Sequence, residues 1–293
     1  MKVLVTGATG QLGSAIAKEF GAAHEVVACA FEDLDITSHQ HVAERVRAVR
    51  PAVVVNCAAY NDVDGAEDHA VTALDVNAFG VRSLARAAAE VEAAFVHYST
   101  DFVFAGDAHE PYTEEARLNP RSVYAMSKLL GDWFAADARR WYVLRVESLF
   151  GGSALGSPHR SSVDRIADAI FEGREAVAFT DRTVSPSFVV DVARATRKLL
   201  ERGAPGGLYH CVNSGLCTWY ELAREVARQA GIEPKLRPCS VADVPLRAAR
   251  PVYAALSNAK LAAAGISMPT WQDALARYLA IRRHPHGQGR SGG

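Results

Sequence analysis

The chain has 293 residues, about half of them apolar, and a formal net charge of −1 from 32 basic and 33 acidic residues. This length can bury one large core or two modest ones, and the near-zero charge offers no field to attract nucleic acid or an anionic membrane surface. The first apolar run covers only residues 3–5, and no run approaches the roughly 20 residues that cross a bilayer. We therefore predict a soluble, cytoplasmic protein with no nucleic-acid or membrane partner.

The N-terminus combines a short apolar run with three glycines at three-residue spacing. Residues 3–5 predict a buried parallel strand, because β-branched residues without polar alternation suit a strand covered on both faces. Gly7 permits a tight bend, Gly10 lets backbone N–H groups approach a phosphate, and Gly13 lets the following helix lie close to the strand. The helix N-terminus would then face a pyrophosphate. This stretch predicts a dinucleotide site, although plain turn chemistry also produces such glycines.

Strands and helices alternate through the first half of the chain. Residues 25–30 predict a second strand, 38–50 a helix and 52–56 a third strand. Residues 71–91 predict one long amphipathic helix, and 94–98 a fourth strand. The alternation predicts an α/β fold with a doubly wound parallel sheet of the Rossmann type, whose ligands lie along the carboxyl ends of the strands.

The end of the second strand bears on the choice between NADH and NADPH. An acidic residue there holds a ribose 2′-hydroxyl, whereas an arginine accepts a 2′-phosphate. The strand ends in Ala30 and Phe31 with Glu32 just beyond, and no Lys or Arg occupies the loop. The sequence leaves the two cofactors nearly even, with a slight preference for NADH.

Groups that can handle a proton follow the fourth strand. Thr100 and Asp101 lie at its carboxyl end, and a helix further along carries Tyr124 and Lys128. Residues four apart share one face of a helix, so the phenol and the ammonium can point at the same ligand. Each residue could also have a purely structural role: Thr100 as a strand-end cap, Tyr124 as a packing residue and Lys128 as part of a solvated helix face. Because these three residues come after a glycine loop and βα units in this order, together they predict a reductase-type site.

The second half predicts a smaller α/β lobe. Its glycine- and serine-rich loop at 150–162 could close over a substrate. The five cysteines of the whole chain lack metal or disulfide spacing. Further strands are predicted at 141–145 and 207–211, and helices at 161–172, 191–201, 218–230 and 271–282. We therefore expect a dinucleotide-binding domain at 1–150, with its sheet completed by parts of 176–212, a mainly substrate-binding lobe at 151–283, and a disordered tail at 284–293.

Several stretches match a known family in register. They are GATGQLG, DLDIT, VVNCAAYNDVDGAE, VHYSTDFVF, YAMSKLLGD, GLYHCVNSGLCTWYELA and RPVYAAL. From Met1 to about Arg283 the chain resembles the dTDP-4-dehydrorhamnose reductase family, a branch of the extended short-chain dehydrogenases/reductases.

The resemblance implies a set of site residues. Separately, no acidic or cysteine residues cluster at ligand spacing, so no metal is expected. The catalytic set would be Thr100, Tyr124 and Lys128, and the substrate would meet Thr100, Asp101, Phe102 and Ser148. The cofactor would be NADH or NADPH, held by Gly7, Gly10, Gln11, Leu12, Gly13, Asp35, Ile36, Ala58, Ala59, Tyr60, Tyr124 and Lys128.

Departures from the family pattern fall in the substrate half. The usual R-T-[SA]-W is here Arg145, Val146, Glu147 and Ser148, and the usual D-Q-x-G-x-P-T covers residues 181–187 as DRTVSPS. Asn61, Phe102 and Ala254 also replace the usual residues. The sugar and its nucleotide carrier are left open.

The expected reaction is reduction of a 4-keto group on a nucleotide-linked 6-deoxyhexose. Tyr124 would give its proton to the carbonyl oxygen, and Thr100 would hydrogen-bond the same oxygen. A free phenol has a pKa of about 10, and Lys128 together with an oxidised nicotinamide would lower it. Two alternatives remain: an NADP-binding regulatory subunit without turnover, and a nucleotide-sugar epimerase or dehydratase. Subunit number is open, with a homodimer as one option.

Overall fold

The structure is a computed structural model that describes residues 1–283. The predicted tail at 284–293 lies outside the described residues. The strands are β1 (Lys2–Thr6), β2 (Glu25–Cys29), β3 (Val53–Asn56), β4 (Ala94–Thr100), β5 (Trp141–Val146), β6 (Leu149–Phe150), β7 (Ala176–Phe179), β8 (Thr183–Val184), β9 (Ser187–Phe188), β10 (Gly207–His210), β11 (Cys217–Thr218) and β12 (Leu236–Cys239). The α-helices are α1 (Gln11–Gly21), α2 (His39–Val49), α3 (Ala70–Leu74), α4 (Val81–Glu90), α5 (Val123–Ala135), α6 (Ser162–Phe171), α7 (Val189–Glu201), α8 (Trp219–Ala230), α9 (Ala259–Ala263) and α10 (Trp271–Arg283).

A six-stranded sheet lies at the centre, in the order β10-β5-β4-β3-β1-β2. Every pairing in it is parallel, and Leu4 of β1 lies between Val27 of β2 and Val54 of β3. The chain leaves β1 for β2 on one side and then returns to β3 on the other. In such sheets, the crevice for a ligand opens where the strand order reverses, here between β1 and β3. The predicted doubly wound parallel sheet is confirmed.

Helices cover both faces of this sheet. Val3 and Val5 belong to a core that includes Ile16 of α1 and Val192 of α7. Leu4 points to the opposite face, into a core that includes Val42 of α2 and residues of α4. This alternation explains the unbroken apolar run in β1, because a strand covered on both faces needs apolar side chains on each.

The predicted helix at 71–91 is divided into three parts. A π-helical segment, Asp75–Gly80, separates α3 from α4. Such a segment inserts an extra residue into a helical turn and is frequent at functional sites. Here it carries the fully buried Asn77, whose carbonyl oxygen would lie 2.2 Å from a Cβ added at Gly131 of α5. The helical prediction is correct for most of this stretch, but the prediction of one continuous helix is wrong.

The later elements form three small sheets and complete the large one. β12 pairs with β7 and β6 with β9 in parallel, whereas β11 and β8 are antiparallel. β10 joins the edge of the central sheet beside β5. One apolar core includes both Phe20 of α1 and Trp271 of α10, and the division into two domains near residue 150 stays a prediction. Within residues 1–283, no helix is both long and apolar enough to cross a bilayer.

Candidate active site

The glycine turn between β1 and α1 admits no larger residue at two positions. Gly7 has a φ of +62°, and a Cβ there would lie 2.7 Å from the Ala58 nitrogen. A Cβ on Gly13 would lie 2.1 Å from the Gly7 carbonyl oxygen. Both distances are shorter than atoms can approach, so the turn packs directly against the segment that follows β3, and α1 packs directly against the turn. Glycine here is therefore required by the fold at the mouth of the crevice.

The start of α1 has free hydrogen-bonding capacity. Gly10 is its N-cap and supplies no side-chain cap to the first-turn amides, which include those of Gln11 and Leu12. Uncapped amides at a helix N-terminus form a site for a phosphate. The Gln11 Oε1 atom is buried and has no hydrogen-bond partner among the described residues. Leu12 itself is buried in the core.

The glycine- and serine-rich loop lies on this same turn. A Cβ added at Gly152 would be 2.6 Å from the Gln11 Cβ, so the loop backbone touches the first turn of α1. The Ser157 hydroxyl donates to the Thr9 carbonyl oxygen at 3.3 Å. The loop therefore contacts the glycine turn, and its closing over a substrate stays a prediction.

Other expected cofactor residues follow β2 and β3 at the same edge of the sheet. Asp35 accepts hydrogen bonds from the amide and the hydroxyl of Thr37, at 2.9 and 2.8 Å. Ile36 is buried where a Cβ on Gly80 would lie 2.9 Å from its side chain. Ala58 donates its amide to Asn56 Oδ1 at 3.1 Å, and Ala59 and Tyr60 continue the same half-buried segment.

A basic side chain that the sequence analysis missed reaches the end of β2. Arg45 of α2 places its Nη2 atom 3.9 Å from the Cys29 sulfur, and its Nε atom is buried with no partner among the described residues. The slight preference for NADH was predicted from the loop after β2 alone. Because α2 packs back against that strand, an arginine 16 positions further along the chain reaches the same place.

Thr100 and Tyr124 come together at the carboxyl end of β4. Helix α5 begins after Ser122, whose hydroxyl accepts the Ala125 amide at 3.2 Å, and Tyr124 lies in its first turn. The Tyr124 ring is buried edge-on to Phe102, with ring centres 5.5 Å apart. The Thr100 side chain is close enough to favour the phenolate form of Tyr124. Thr100 also caps the following turn by accepting the Phe102 amide at 3.2 Å.

Lys128 is buried one turn further along α5. Its ammonium donates to the Tyr98 carbonyl oxygen at 2.7 Å. Burial lowers the pKa of Lys128 to about 8, against the favourable charge of Asp132. The pKa of Tyr124 is raised above its ordinary value, by burial first and then by the negative charge of Asp101. Desolvation therefore dominates in the chain alone, and the lowering of the Tyr124 pKa by Lys128 together with a bound oxidised nicotinamide stays a prediction.

Asn77 of the π-helical segment joins the two halves of the site. Its Oδ1 accepts the Tyr60 amide at 2.9 Å, and its Nδ2 donates to the Tyr60 carbonyl oxygen and to the Ser127 hydroxyl, both at 3.0 Å. Ser127 lies between Tyr124 and Lys128 on α5. The sequence analysis did not select Asn77, although an amide within an apolar-periodic helix was a signal.

Three charged side chains cluster beside Tyr124. Asp101 and Glu147 are buried, and the positive charge of Arg182 acts on both. Burial raises the pKa of Asp101 to about 6 and that of Glu147 to about 8. Arg182 lies over the Phe102 ring, 5.8 Å from its centre.

Ser148 has a φ of +44° and donates to Glu147 Oε1 at 2.5 Å. Glu147 and Arg182 stand at two separate departures from the family pattern, and no sequence pattern indicated that they meet. Within residues 1–283, no group of three or more His, Cys, Asp or Glu is placed to hold a metal ion.

The sheet, the glycine turn and the buried Tyr-Lys pair are features of the NAD(P)-dependent oxidoreductases of the Rossmann class. A family model described as the RmlD substrate binding domain matches residues 1–283. The chain belongs to this family, so the predicted resemblance is confirmed.

Curated relatives are similar over nearly their whole length. A dTDP-4-dehydrorhamnose reductase of Mycobacterium tuberculosis is 38% identical over 288 residues, which cover 95% of this chain and 92% of the relative. The spore coat polysaccharide biosynthesis protein SpsK of Bacillus subtilis is 32% identical over 283 residues, covering 96% and 98%.

Two solved structures are similar to this chain over nearly its whole length. A dTDP-4-dehydrorhamnose reductase of Clostridium acetobutylicum has a TM-score of 0.90 at 35% identity, covering 97% of this chain and all of that one. The enzyme of Bacillus anthracis, solved in complex with NADP, has a TM-score of 0.89 at 31% identity, covering 95% and 98%.

Proposed function

We propose that this protein reduces the 4-keto group of a dTDP-linked 4-dehydro-6-deoxyhexose, with NADPH or NADH as the hydride donor. The observation that carries the proposal is the placement of a buried phenol, Tyr124, beside Thr100 at the carboxyl edge of the sheet. The relatives with this name span the whole chain, and one of them was solved with NADP. A binding module without turnover would have no need of a protected proton donor.

The residues around the glycine turn fit a dinucleotide. Gly7 and Gly13 leave room only for backbone, and the uncapped amides after Gly10 suit a pyrophosphate. The unpartnered Gln11 Oε1 offers a further acceptor. Arg45 at the end of β2 supports use of NADPH as well as NADH, because a guanidinium there can pair with a 2′-phosphate.

Tyr124 would act as the general acid. When bound, a reduced nicotinamide supplies hydride to the carbonyl carbon of the substrate. Because burial raises the pKa of Tyr124, the phenol holds its proton at neutral pH until negative charge develops on the carbonyl oxygen. Thr100 would donate a hydrogen bond to the same oxygen.

Lys128 would hold the position of the cofactor ribose and favour the phenolate that forms. The hydrogen bond from Lys128 to the Tyr98 carbonyl oxygen uses one of the ammonium hydrogens and holds the ammonium in place. Phe102 would cover the sugar ring, and Asp101 and Ser148 would meet its hydroxyl groups. Where the family pattern has a Trp, Ser148 leaves more room beside the sugar.

A nucleotide-sugar panel tests this proposal. The full chain would be mixed with dTDP-4-dehydrorhamnose, its UDP counterpart and NADPH or NADH, and loss of the reduced-nicotinamide absorbance would be followed. We expect oxidation with the dTDP sugar and formation of a deoxysugar nucleotide. Tight cofactor binding without any oxidation across the panel would contradict the proposal and favour the regulatory-subunit alternative.

We also propose that the chain forms a homodimer through α5. Met126 and Trp133 lie seven residues apart on this helix, on one face, and are 55% and 62% exposed. Sedimentation tests the dimer: the wild type should have the mass of two chains and Trp133→Glu the mass of one. Equal masses for the two proteins would contradict this interface. A cytoplasmic location stays a prediction.

A further inference from the structure

Thr100 has one hydroxyl hydrogen and more than one acceptor for it. Its Oγ1 atom donates to Asp101 Oδ1 at 3.0 Å and accepts the Phe102 amide at 3.2 Å. The same hydroxyl faces Tyr124. In the proposed reduction, that hydrogen is needed by the substrate's carbonyl oxygen. An ionised Asp101, which can only accept, would hold the hydrogen away from the substrate.

Two buried carboxyl groups share one cation at this position. The groups that face Asp101 are Thr100, Tyr124, Glu147 and Arg182, and the charge of Arg182 acts on both carboxyls. Two carboxylates against one guanidinium leave an unbalanced buried negative charge. Carboxyl groups that repel each other lose their protons in two separate steps, so the pair retains one proton near neutral pH.

Hydrogen-bond geometry decides which carboxyl holds this proton. Glu147 accepts on both oxygens: Oε1 from the Ser148 hydroxyl at 2.5 Å, and Oε2 from the Ser185 backbone amide. The Ser148 hydroxyl can donate or accept, but the Ser185 backbone amide can only donate, so Glu147 has one obligate donor that favours its ionised form. Asp101 Oδ1 instead contacts a hydroxyl, which can donate or accept, and Oδ2 has no partner among the described residues. Burial raises the pKa of Glu147 further than that of Asp101, which taken alone would place the proton on Glu147. The backbone amide that donates to Glu147 opposes this, and this contact favours Asp101 as the site of the proton.

We propose that Asp101 is a positioning residue that acts as a neutral carboxylic acid, donating its hydrogen to Thr100 Oγ1 and freeing the Thr100 hydrogen for the substrate's carbonyl oxygen. This role rests on the proposed reduction. Thr100 Oγ1 then accepts from Asp101 and Phe102, and Tyr124 keeps its own hydrogen for the substrate. When Asp101 is ionised, the hydrogen bonds run in the opposite direction: Thr100 donates to Asp101 and accepts from Tyr124. The hydroxyl hydrogens of Thr100 and Tyr124 then both point away from the substrate.

The location of the proton can be tested without turnover. Infrared spectra of the full chain at pH 7 would be searched for the carbonyl stretch of a buried carboxylic acid that Asp101→Asn removes. We expect this band to shift when the protein is labelled with carboxyl-¹³C aspartate and to stay in place with carboxyl-¹³C glutamate. A shift with labelled glutamate, or the absence of any band sensitive to Asp101→Asn, would overturn the proposal.

Kinetics of a double variant test the consequence. Glu147→Gln leaves Asp101 alone with Arg182 and so favours its ionised form; we expect kcat at pH 7 to fall about 10²-fold, the typical effect of losing one oxyanion donor. Adding Asp101→Asn supplies an amide hydrogen to Thr100, and we expect kcat to recover to within about tenfold of wild type, with an unchanged KM for the cofactor.

Two further outcomes are decisive. A double variant as slow as Glu147→Gln would mean that Glu147 has only a structural role, and would overturn the proposal. A wild type that oxidises neither cofactor would contradict the proposed reduction, while the isotope-labelled spectra would still decide where the proton lies. If Glu147→Gln does not fold, as its melting temperature would reveal, the spectra alone decide the question.

Discussion

Asn77 holds the Tyr60 peptide on both sides, accepting its amide at 2.9 Å and donating to its carbonyl oxygen at 3.0 Å. A third hydrogen bond joins Asn77 to Ser127 on the helix that carries Tyr124 and Lys128. One buried amide therefore fixes the segment after β3 relative to the candidate catalytic helix.

Replacing this amide should weaken both folding and cofactor binding. Asn77→Ala leaves half-buried backbone groups of Tyr60 unpaired, and a fully buried group of this kind costs about 1–3 kcal/mol of folding stability. We expect a lower free energy of unfolding in urea and a higher Kd for NADPH in calorimetry. Gln40→Ala is the matched control, because Gln40 is an exposed amide that contacts only Glu44 in the described hydrogen bonds. Equal effects of the two substitutions would contradict the proposed link.

The glycine turn should tolerate no methyl group at Gly13. In Gly13→Ala, the added Cβ would lie 2.1 Å from the Gly7 carbonyl oxygen, so α1 must move away from the turn. We expect the Kd for NADPH to rise more than tenfold. Gly21→Ala, on the same helix with no atom within 4 Å of the added Cβ, should bind normally. Normal binding by Gly13→Ala would show that the turn does not position the cofactor.

Turnover should depend on the Tyr124 hydroxyl. Loss of a general acid typically costs about 10²–10⁴ in rate, so Tyr124→Phe should lower kcat by that factor while the Kd for the cofactor stays the same. Tyr220→Phe makes the same chemical change on α8 and should leave kcat unchanged. Wild-type turnover by Tyr124→Phe would remove the residue from its proposed role.

Arg45 should affect NADPH more than NADH. If its guanidinium pairs with the 2′-phosphate, Arg45→Ala should raise the KM for NADPH about tenfold, equivalent to about 1.4 kcal/mol, and leave the KM for NADH unchanged. Arg47→Ala removes an exposed arginine of the same helix that pairs with Glu90, and it serves as the control. A parallel rise for both cofactors would indicate that Arg45 only supports the end of β2.

Stability should fall in mild acid because of His210. Burial lowers its pKa to about 3, and the nearby charge of Arg145 adds to this effect. Below an unfolded-state pKa of about 6.5, the unfolded chain binds a proton that the folded chain does not, so the free energy of unfolding decreases as the pH falls. Between pH 6.5 and 5 this amounts to about 2 kcal/mol.

Urea unfolding of His210→Gln tests this predicted loss of stability at lower pH. The variant lacks the titrating ring, so its loss of stability over the same pH range should be about 2 kcal/mol smaller than that of the wild type. His109→Gln, at an exposed position, should behave as the wild type. An identical pH dependence in all three proteins would mean that His210 does not titrate as its burial implies.

Local pattern predicted most of the framework. Unbroken β-branched runs at β1 and β3, and the glycine spacing before α1, were sufficient to predict buried parallel strands and a phosphate-type turn, because both depend on neighbours in sequence. The same reasoning predicted one helix over 71–91 and missed its π-helical segment, which depends on what Asn77 meets across the fold.

The amino-acid sequence by itself determined the doubly wound sheet, the family and the Tyr124–Lys128 spacing, since helical and strand periodicities are local properties of the chain. Only the tertiary structure brought Glu147 and Arg182 to Asp101, and Arg45 to Cys29. It also buried Tyr124, which raises the pKa of the phenol in the chain alone. Desolvation and charge act through space, and distances between side chains far apart in sequence exist only once the chain has folded.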